Sequence, residues 1–488
     1  MRSSIIHYSL FIILALLIFR PLLGTVWYPM HDTTHLARLY LMEGTIRGGQ
    51  FPPIWATGIN QGLGYPLFHF YAPLFYYLAL LVKLVTGSYF TAVKVVLFSS
   101  SVLGMLGMYT LMKKWGRGVA FFSSLAFGTL PYMAVNLYVR GAYAETLALS
   151  LLPWLFYAWQ NLGSHQRQIM TAIITTLFIL SHNLIPLITF PFLLIWILFH
   201  HHHHLKALIL PILATITLSS FYLLPLIFER NFVQADSIAK TTNYSLHYVA
   251  PSQLWNSTWG YGGSAMGLED GMSFKLGKIV VLLSLGSLLL LRKRYIQLLV
   301  TSALLTIFMT TPYSQFIWDH LALLQVIQFP WRYLGLVGFF LSSLAGLSFT
   351  LIKNKFARNS CLLLAVCCLL LTNLKLFAPQ STFPADLSRY TSSSYLETLP
   401  QIIPEFAPRW LSNPLPASSL DRAYYPTWKV IVDGKLVPTR PSVSGLLSYP
   451  NPTQSTNIQL IQSHTNLERF SYALTILTLI TLIIYAKI

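Results

Sequence analysis

The chain has 488 residues, of which 55% are hydrophobic and only 9% charged, with 32 Lys and Arg against 14 Asp and Glu. A soluble domain carries roughly 25% charged residues, so a water-bathed globule is excluded, and the mean hydropathy of +0.58 points to a chain immersed in lipid. The net charge of +18 would suit nucleic acid, but the basic residues are scattered between apolar runs, where they set topology against anionic lipid; nucleic acid is excluded as a partner.

Apolar runs of ~17–25 residues, the length that crosses a bilayer, recur along the chain. Spanning helices are expected near 5–23, 90–112, 119–137, 145–161, 167–182, 184–200, 205–228, 274–291, 295–311, 331–352, 358–377 and 470–487. The fold class is therefore mainly α: a polytopic membrane protein of about twelve helices. The first run has no small-x-small cleavage site and reads as a signal anchor. The run at 71–86 is too short as a helix, at ~24 Å, for a ~30 Å hydrocarbon core, and reads as a juxtamembrane or re-entrant helix.

Three basic linkers fix the orientation: Lys113-Lys114-Trp115-Gly116-Arg117, Arg292-Lys293-Arg294 and Lys353-Asn354-Lys355-Phe356-Ala357-Arg358 should all be cytoplasmic. The acidic residues were free to disagree. All 14, from Asp32 to Glu468, fall on the opposite side, which marks the outer face of the cell membrane as the working surface.

Residues 1–377 make a transmembrane module with outer loops at 24–87, 138–145 and 229–273, and a C-terminal helix occupies 469–488. Between them, 378–468 should fold as an extracytoplasmic β-rich, sandwich-like domain. Its strongest signal is the run Tyr424-Tyr425-Pro426-Thr427-Trp428-Lys429-Val430-Ile431-Val432, closed by the Asp433-Gly434 turn. Cys361, Cys367 and Cys368 lie in one apolar run, offering neither a disulfide framework nor a metal site.

The first outer loop carries the chemistry. His31, His35 and Arg38 have the i, i+4, i+7 spacing of one helical face, and Asp32 is expected to begin that helix. A carboxylate flanked by imidazoles at the membrane surface can accept a proton from an alcohol. The alternative is an N-cap aspartate that only starts the helix. Further along, Arg140 and Arg332 stand at helix ends, where a guanidinium suits a lipid phosphate. Snorkelling at the interface would place them there as well.

Several segments in one order resemble bacterial GT-C-type membrane glycosyltransferases, in the group labelled 6-pyruvoyl-tetrahydropterin synthase-related. They are the Asp32 segment, Gly49-Gln50-Phe51-Pro52-Pro53 with Trp55, Gly62-Leu63-Gly64-Tyr65-Pro66, Tyr138-Val139-Arg140-Gly141-Ala142 with Glu145, Ser181-His182-Asn183, Gln328-Phe329-Pro330-Trp331-Arg332 and Tyr425–Lys435. The resemblance implies a sugar taken from a polyprenyl phosphate on the outer leaflet. It implies Asp32 and Glu145 as the catalytic acids, with His31, His35, Arg140, Arg332, His182 and Tyr65 around the substrate. The paired acid of some relatives is absent, since Asp32 is followed by Thr33-Thr34, so neither a metal nor a cofactor is expected.

Two other classes compete. A transporter or flippase of a lipid-linked glycan should carry ionisable residues near the midplane of its spans and often a repeat between halves, whereas only Lys94 stands near a span interior and no convincing repeat is found. A glycan-binding scaffold would leave the residues around Asp32 without a task. The pentahistidine run His200 to His204 sits on the cytoplasmic side and can bind metal adventitiously.

Overall fold

In hydrocarbon every backbone N–H and C=O must find a partner within the chain, which is why apolar runs of this length become helices. The computed structural model describes residues 2–235, 243–411, 422–451 and 457–485, with the side chains of 2–9 and 485 left aside. Each expected span falls on helix. Among the described residues, however, five helices are long and apolar enough to cross a bilayer: Tyr89–Trp115, Arg117–Arg140, Pro330–Leu351, Lys355–Leu376 and Asn466–Ile484. The number rises to seven if two bent pairs each count as one span, Leu205–Leu218 with Ser220–Phe228 (68°) and Arg294–Thr310 with Pro312–His320 (90°). The expected twelve is therefore not reached by length. Short helices contribute to the shortfall: Ile185–His201 and Lys278–Leu290 are apolar but stop early, and Leu74–Thr86, which is not among the expected spans, is short as well.

Contacts divide the chain into two units. The first comprises Met1–Thr33, Tyr77–Ile209 and Thr242–Ala385. Its centre is the helix Leu334–Ser348, buried along its whole length. Small residues let its helices close up, as membrane packing favours in the absence of a hydrophobic drive between them. Gly104 lies against Ser150, and a methyl group on Gly346 would strike the Ser123 hydroxyl.

The second unit comprises Thr34–Tyr76, Leu210–Thr241 and Asp386–Ile488. The expected sandwich over 378–468 takes a smaller form. Among the described residues, helices Ser388–Thr391 and Ser393–Ile402 precede five short strands: β1 Trp428–Val432, β2 Lys435–Val437, β3 Arg440–Pro441, β4 Leu447–Ser448 and β5 Ile458–Gln462. They form an antiparallel sheet in the order β2-β1-β5 and a two-stranded ribbon of β3 and β4. Asp433 and Gly434 both take positive φ, 49° and 77°, as a two-residue hairpin turn demands, and Val432 pairs with Lys435 across it. On β1 the buried Trp428, Val430 and Val432 alternate with Lys429 and Ile431. Trp55 packs against Trp428 (5.4 Å between ring centroids) and Tyr425 (5.5 Å), so the strand docks on the loop before Leu67–Phe70. Asp236 and Asp421 of the acid tally lie outside the described residues.

Candidate functional site

The segment after the first helix is the scaffold of the site. Lys94, in the span Tyr89–Trp115, donates to the carbonyls of Gly24 (2.8 Å) and Val26, which accounts for the one ionisable residue expected within a span. Trp27 and Phe383 exchange two backbone hydrogen bonds (2.8 and 2.9 Å). His31 and Asp32 then donate their backbone N–H groups to Val139 (3.0 Å) and Arg140 (2.7 Å). Asp32 is thereby aligned with Arg140 before any side chain acts.

Asp32 does not begin a helix. The following helix is His35–Arg47, and its N-cap is Thr34. The expected face of His31, His35 and Arg38 therefore fails at His31, because a backbone pinned to residues 139 and 140 cannot also wind. His31 instead reaches its own neighbour, Nδ1 to Asp32 Oδ1 at 3.2 Å, and this hydrogen bond raises the imidazole pKa above its ordinary value. The Asp32 side chain stays 45% exposed.

Arg140 ends a π-turn over Asn136–Arg140. Such a turn widens the helix by one residue and often marks functional positions. Here Tyr132, Asn136 and Arg140 fall in line, and Gly141 (φ 72°) reverses the chain so that Glu145, in the first turn of Tyr143–Gln160, faces back. Arg140 Nη1 contacts Glu145 Oε2 at 3.1 Å, Asn136 Oδ1 at 2.6 Å and Tyr132 Oη at 3.2 Å. Tyr132 and Asn136 also donate to Glu145 Oε1, at 2.5 and 3.3 Å. The guanidinium lies 4.4 Å from the centroid of Trp331, a cation–π contact.

Arg332 completes the group. Its Nε is 3.7 Å from Glu145 Oε2, and its Nη1 donates to Ile327 O and to Gln328 Oε1. Gln328 takes a positive φ of 70° beside it. Glu145 is fully enclosed, while both arginine side chains are 10% exposed. The two arginines are thus buried and packed, rather than snorkelling at a helix end. His182 lies within electrostatic reach of Glu145, Arg332, Arg140 and Asp32. Its Nδ1 accepts from the N–H groups of Leu184 (3.0 Å) and Ile185 (3.1 Å), so its proton must sit on Nε2.

Six of the eight expected residues therefore belong to one group: His31, Asp32, Arg140, Glu145, His182 and Arg332. His35 and Tyr65 belong to the second unit. His35 Nδ1 meets the Tyr76 hydroxyl (2.9 Å), which Arg38 also reaches (3.4 Å) while stacking on Tyr71. Tyr65 lines a cavity of about 570 Å³ with Asn60, Gln61, Gln234, Glu397 and Gln401, and burial pushes its phenol pKa up. Sequence reasoning missed Tyr132 and Asn136. Their i, i+4, i+8 spacing with Arg140 was the available signal.

The fold and this group define a helical membrane protein with a buried arginine–glutamate centre beside an exposed aspartate. The chain belongs to the membrane-protein family described as the 6-pyruvoyl-tetrahydropterin synthase related domain, whose model matches residues 68–379, more than half its length. Among solved structures it is similar to the arabinofuranosyltransferase AftD from Mycobacteria, with a TM-score of 0.47 and 13% identity over 79% of this chain. It spans 28% of that protein's length. No curated protein matches it.

Proposed function

We propose that the chain is a membrane glycosyltransferase, moving a sugar from a polyprenyl-phosphate donor to an acceptor on the extracytoplasmic side of the cell membrane. The observation that carries this reading is the charge of the buried centre. Two guanidiniums share one enclosed carboxylate, Glu145. Asp32 is the other carboxylate within electrostatic reach of both arginines, but its side chain is 45% exposed, so the enclosed part of the centre carries more positive than negative charge, which an anion such as a phosphate completes. Among the described residues, every side-chain hydrogen bond of Arg140 runs through Nη1, which leaves its remaining N–H groups for phosphate oxygens.

Chemistry follows from the arrangement. As the bond from the sugar C1 to the phosphate oxygen breaks, charge gathers on the phosphate, and Arg140 and Arg332 stabilise it. The acceptor hydroxyl forms the new bond to C1 and gives its proton to Asp32. Glu145 touches neither partner; it is a positioning residue that holds both arginines. His182 offers its Nε2–H as a neutral donor. The motif resemblance supports the same reading, and Lys94 is engaged as a loop anchor by the carbonyls of Gly24 and Val26.

The deciding experiment places the full chain in nanodiscs with a panel of polyprenyl-monophosphate sugars and follows transfer by mass spectrometry. Asp32→Asn should lower the rate about 10²–10⁴-fold at unchanged protein abundance. Full activity in that variant would exclude Asp32 as the base.

A further inference from the structure

Three elements distant in sequence meet inside the second unit. His69 comes from the helix Leu67–Phe70, Glu229 caps the helix Ser220–Phe228, and Glu468 lies in the first turn of Asn466–Tyr485. Their side chains are 4%, 5% and 0% exposed. His69 Nε2 stands 2.8 Å from Glu229 Oε2 and 3.6 Å from Glu468 Oε1, and one ligand atom from each residue lies within 4.8 Å of the others.

Charge makes this arrangement incomplete. Two enclosed carboxylates face one enclosed imidazole, with His464 outside them and 33% exposed, so when both are ionised the enclosed group is negative even if His69 is protonated, and either a cation or a shared proton must balance it. Among the described residues no N–H or hydroxyl donates to the buried Glu468 Oε1, which is aimed at the His69 nitrogen and lies beside the Glu229 carboxyl. The outer oxygens, by contrast, are fully held. Thr465 donates its hydroxyl to Glu229 Oε1 (2.5 Å) and its N–H to Glu468 Oε2 (3.2 Å), which His464 Nδ1 also contacts (2.8 Å). Each carboxylate is thus oriented from behind and turns its other oxygen inward. That is how outer partners orient metal ligands.

We propose that His69, Glu229 and Glu468 bind a divalent transition-metal ion, zinc foremost, as a clasp between these three segments. One imidazole nitrogen and two carboxylate oxygens are a zinc donor set, and tetrahedral zinc sets neighbouring ligand atoms about 3.3 Å apart. The separations of 2.8 and 3.6 Å from His69 bracket that distance, and all three ligand atoms lie within 4.8 Å of one another, so side-chain adjustment suffices to complete the set. The ion displaces the proton shared by His69 and Glu229, which leaves to solvent, and the site becomes neutral. The bond network would otherwise be closed by a proton alone, and the two cases differ in their response to zinc.

The test uses the full chain in nanodiscs, purified without a histidine tag and with His200 to His204 replaced by serine, because that run binds metal of its own. After stripping with a chelator, zinc is added and bound metal is measured by mass spectrometry. About one zinc per chain should be retained, and the melting temperature of the stripped protein should rise on adding it. Glu229→Gln and Glu468→Gln, which preserve shape, should each abolish retention, and Thr465→Val should weaken it about 10–100-fold. Equal zinc retention in folded Gln variants would overturn the proposal. If those variants do not fold, the stripped parent decides: no zinc retained and no change in melting temperature would also overturn it.

Discussion

Arg140 Nη1 and Glu145 Oε2 lie 3.1 Å apart with Glu145 wholly enclosed, and the same Glu145 oxygen is 3.7 Å from Arg332 Nε. One carboxylate therefore neutralises part of two buried cations, and its loss should be felt twice. Glu145→Gln keeps the side-chain shape but strands both guanidiniums, at a cost of about 3–5 kcal/mol. Thermal unfolding in nanodiscs measures this. The exposed Glu397→Gln serves as a control and should cost about 0.5 kcal/mol or less. Equal stability of the two variants would mean that Glu145 does not hold the centre.

Arg140 has packing as well as charge. Its stack on Trp331 and its contacts with Tyr132, Asn136 and Glu145 all use the planar guanidinium. A lysine keeps the charge and loses the fork. Arg140→Lys should raise the donor KM about 10–100-fold, equivalent to ~1.4–2.8 kcal/mol, with a smaller change in kcat. A variant with unchanged KM would remove Arg140 from donor binding.

The hydrogen bond to Asp32 raises the pKa of His31 above its ordinary value. The imidazolium–carboxylate pair is thus fully present below the unfolded histidine pKa, about 6.5, and is lost as pH rises through the higher folded value. Both side chains are well exposed, so the effect on stability is small and its sign is the measurable quantity. Histidine-labelled NMR should show His31 titrating above 6.5 and moving down in Asp32→Asn. A His31 titration that ignores the Asp32 substitution would separate the two groups.

Gly141 is required for two reasons. Its φ of 72° is left-handed, and a Cβ there would lie 2.6 Å from Met30 Sδ, one residue before His31. Gly141→Ala should cost about 1–2 kcal/mol for the backbone alone. It should also push the His31–Asp32 segment off residues 139 and 140, lowering sugar transfer beyond what the loss of folded protein explains. Activity per folded molecule equal to that of the parent would show that the segment stays in place.

Orientation has its own check. On a background without Cys361, Cys367 and Cys368, a cysteine at Lys114 should label only from the cytoplasm and one at Ser245 only from outside. Reversed labelling, Lys114 from outside and Ser245 from the cytoplasm, would mean that Leu74–Thr86 crosses the membrane.

By itself the sequence determined the helices, the Asp433-Gly434 hairpin with the alternating strand before it, and the grouping of Arg140 with Glu145. Each of these is written in neighbouring residues: hydropathy runs, period-two alternation, or a short turn. Tertiary structure decided the rest. Asp32 lies beside Arg140 because backbone hydrogen bonds pull it out of the expected helix. Arg332 joins Glu145 from a distant span, and His35 and Tyr65 fall in the other unit because contacts, not spacing, assign them. Part of the shortfall in long spans has the same origin, since the bend at Ser219 carries no strong local signal in an apolar run, whereas the one at Thr311 is marked by Pro312. Joining His69 to Glu229 and Glu468 takes packing among segments that share no periodicity. Local pattern fixes which backbone hydrogen bonds close within a segment, whereas the meeting of loops depends on the packing of residues far apart in the chain.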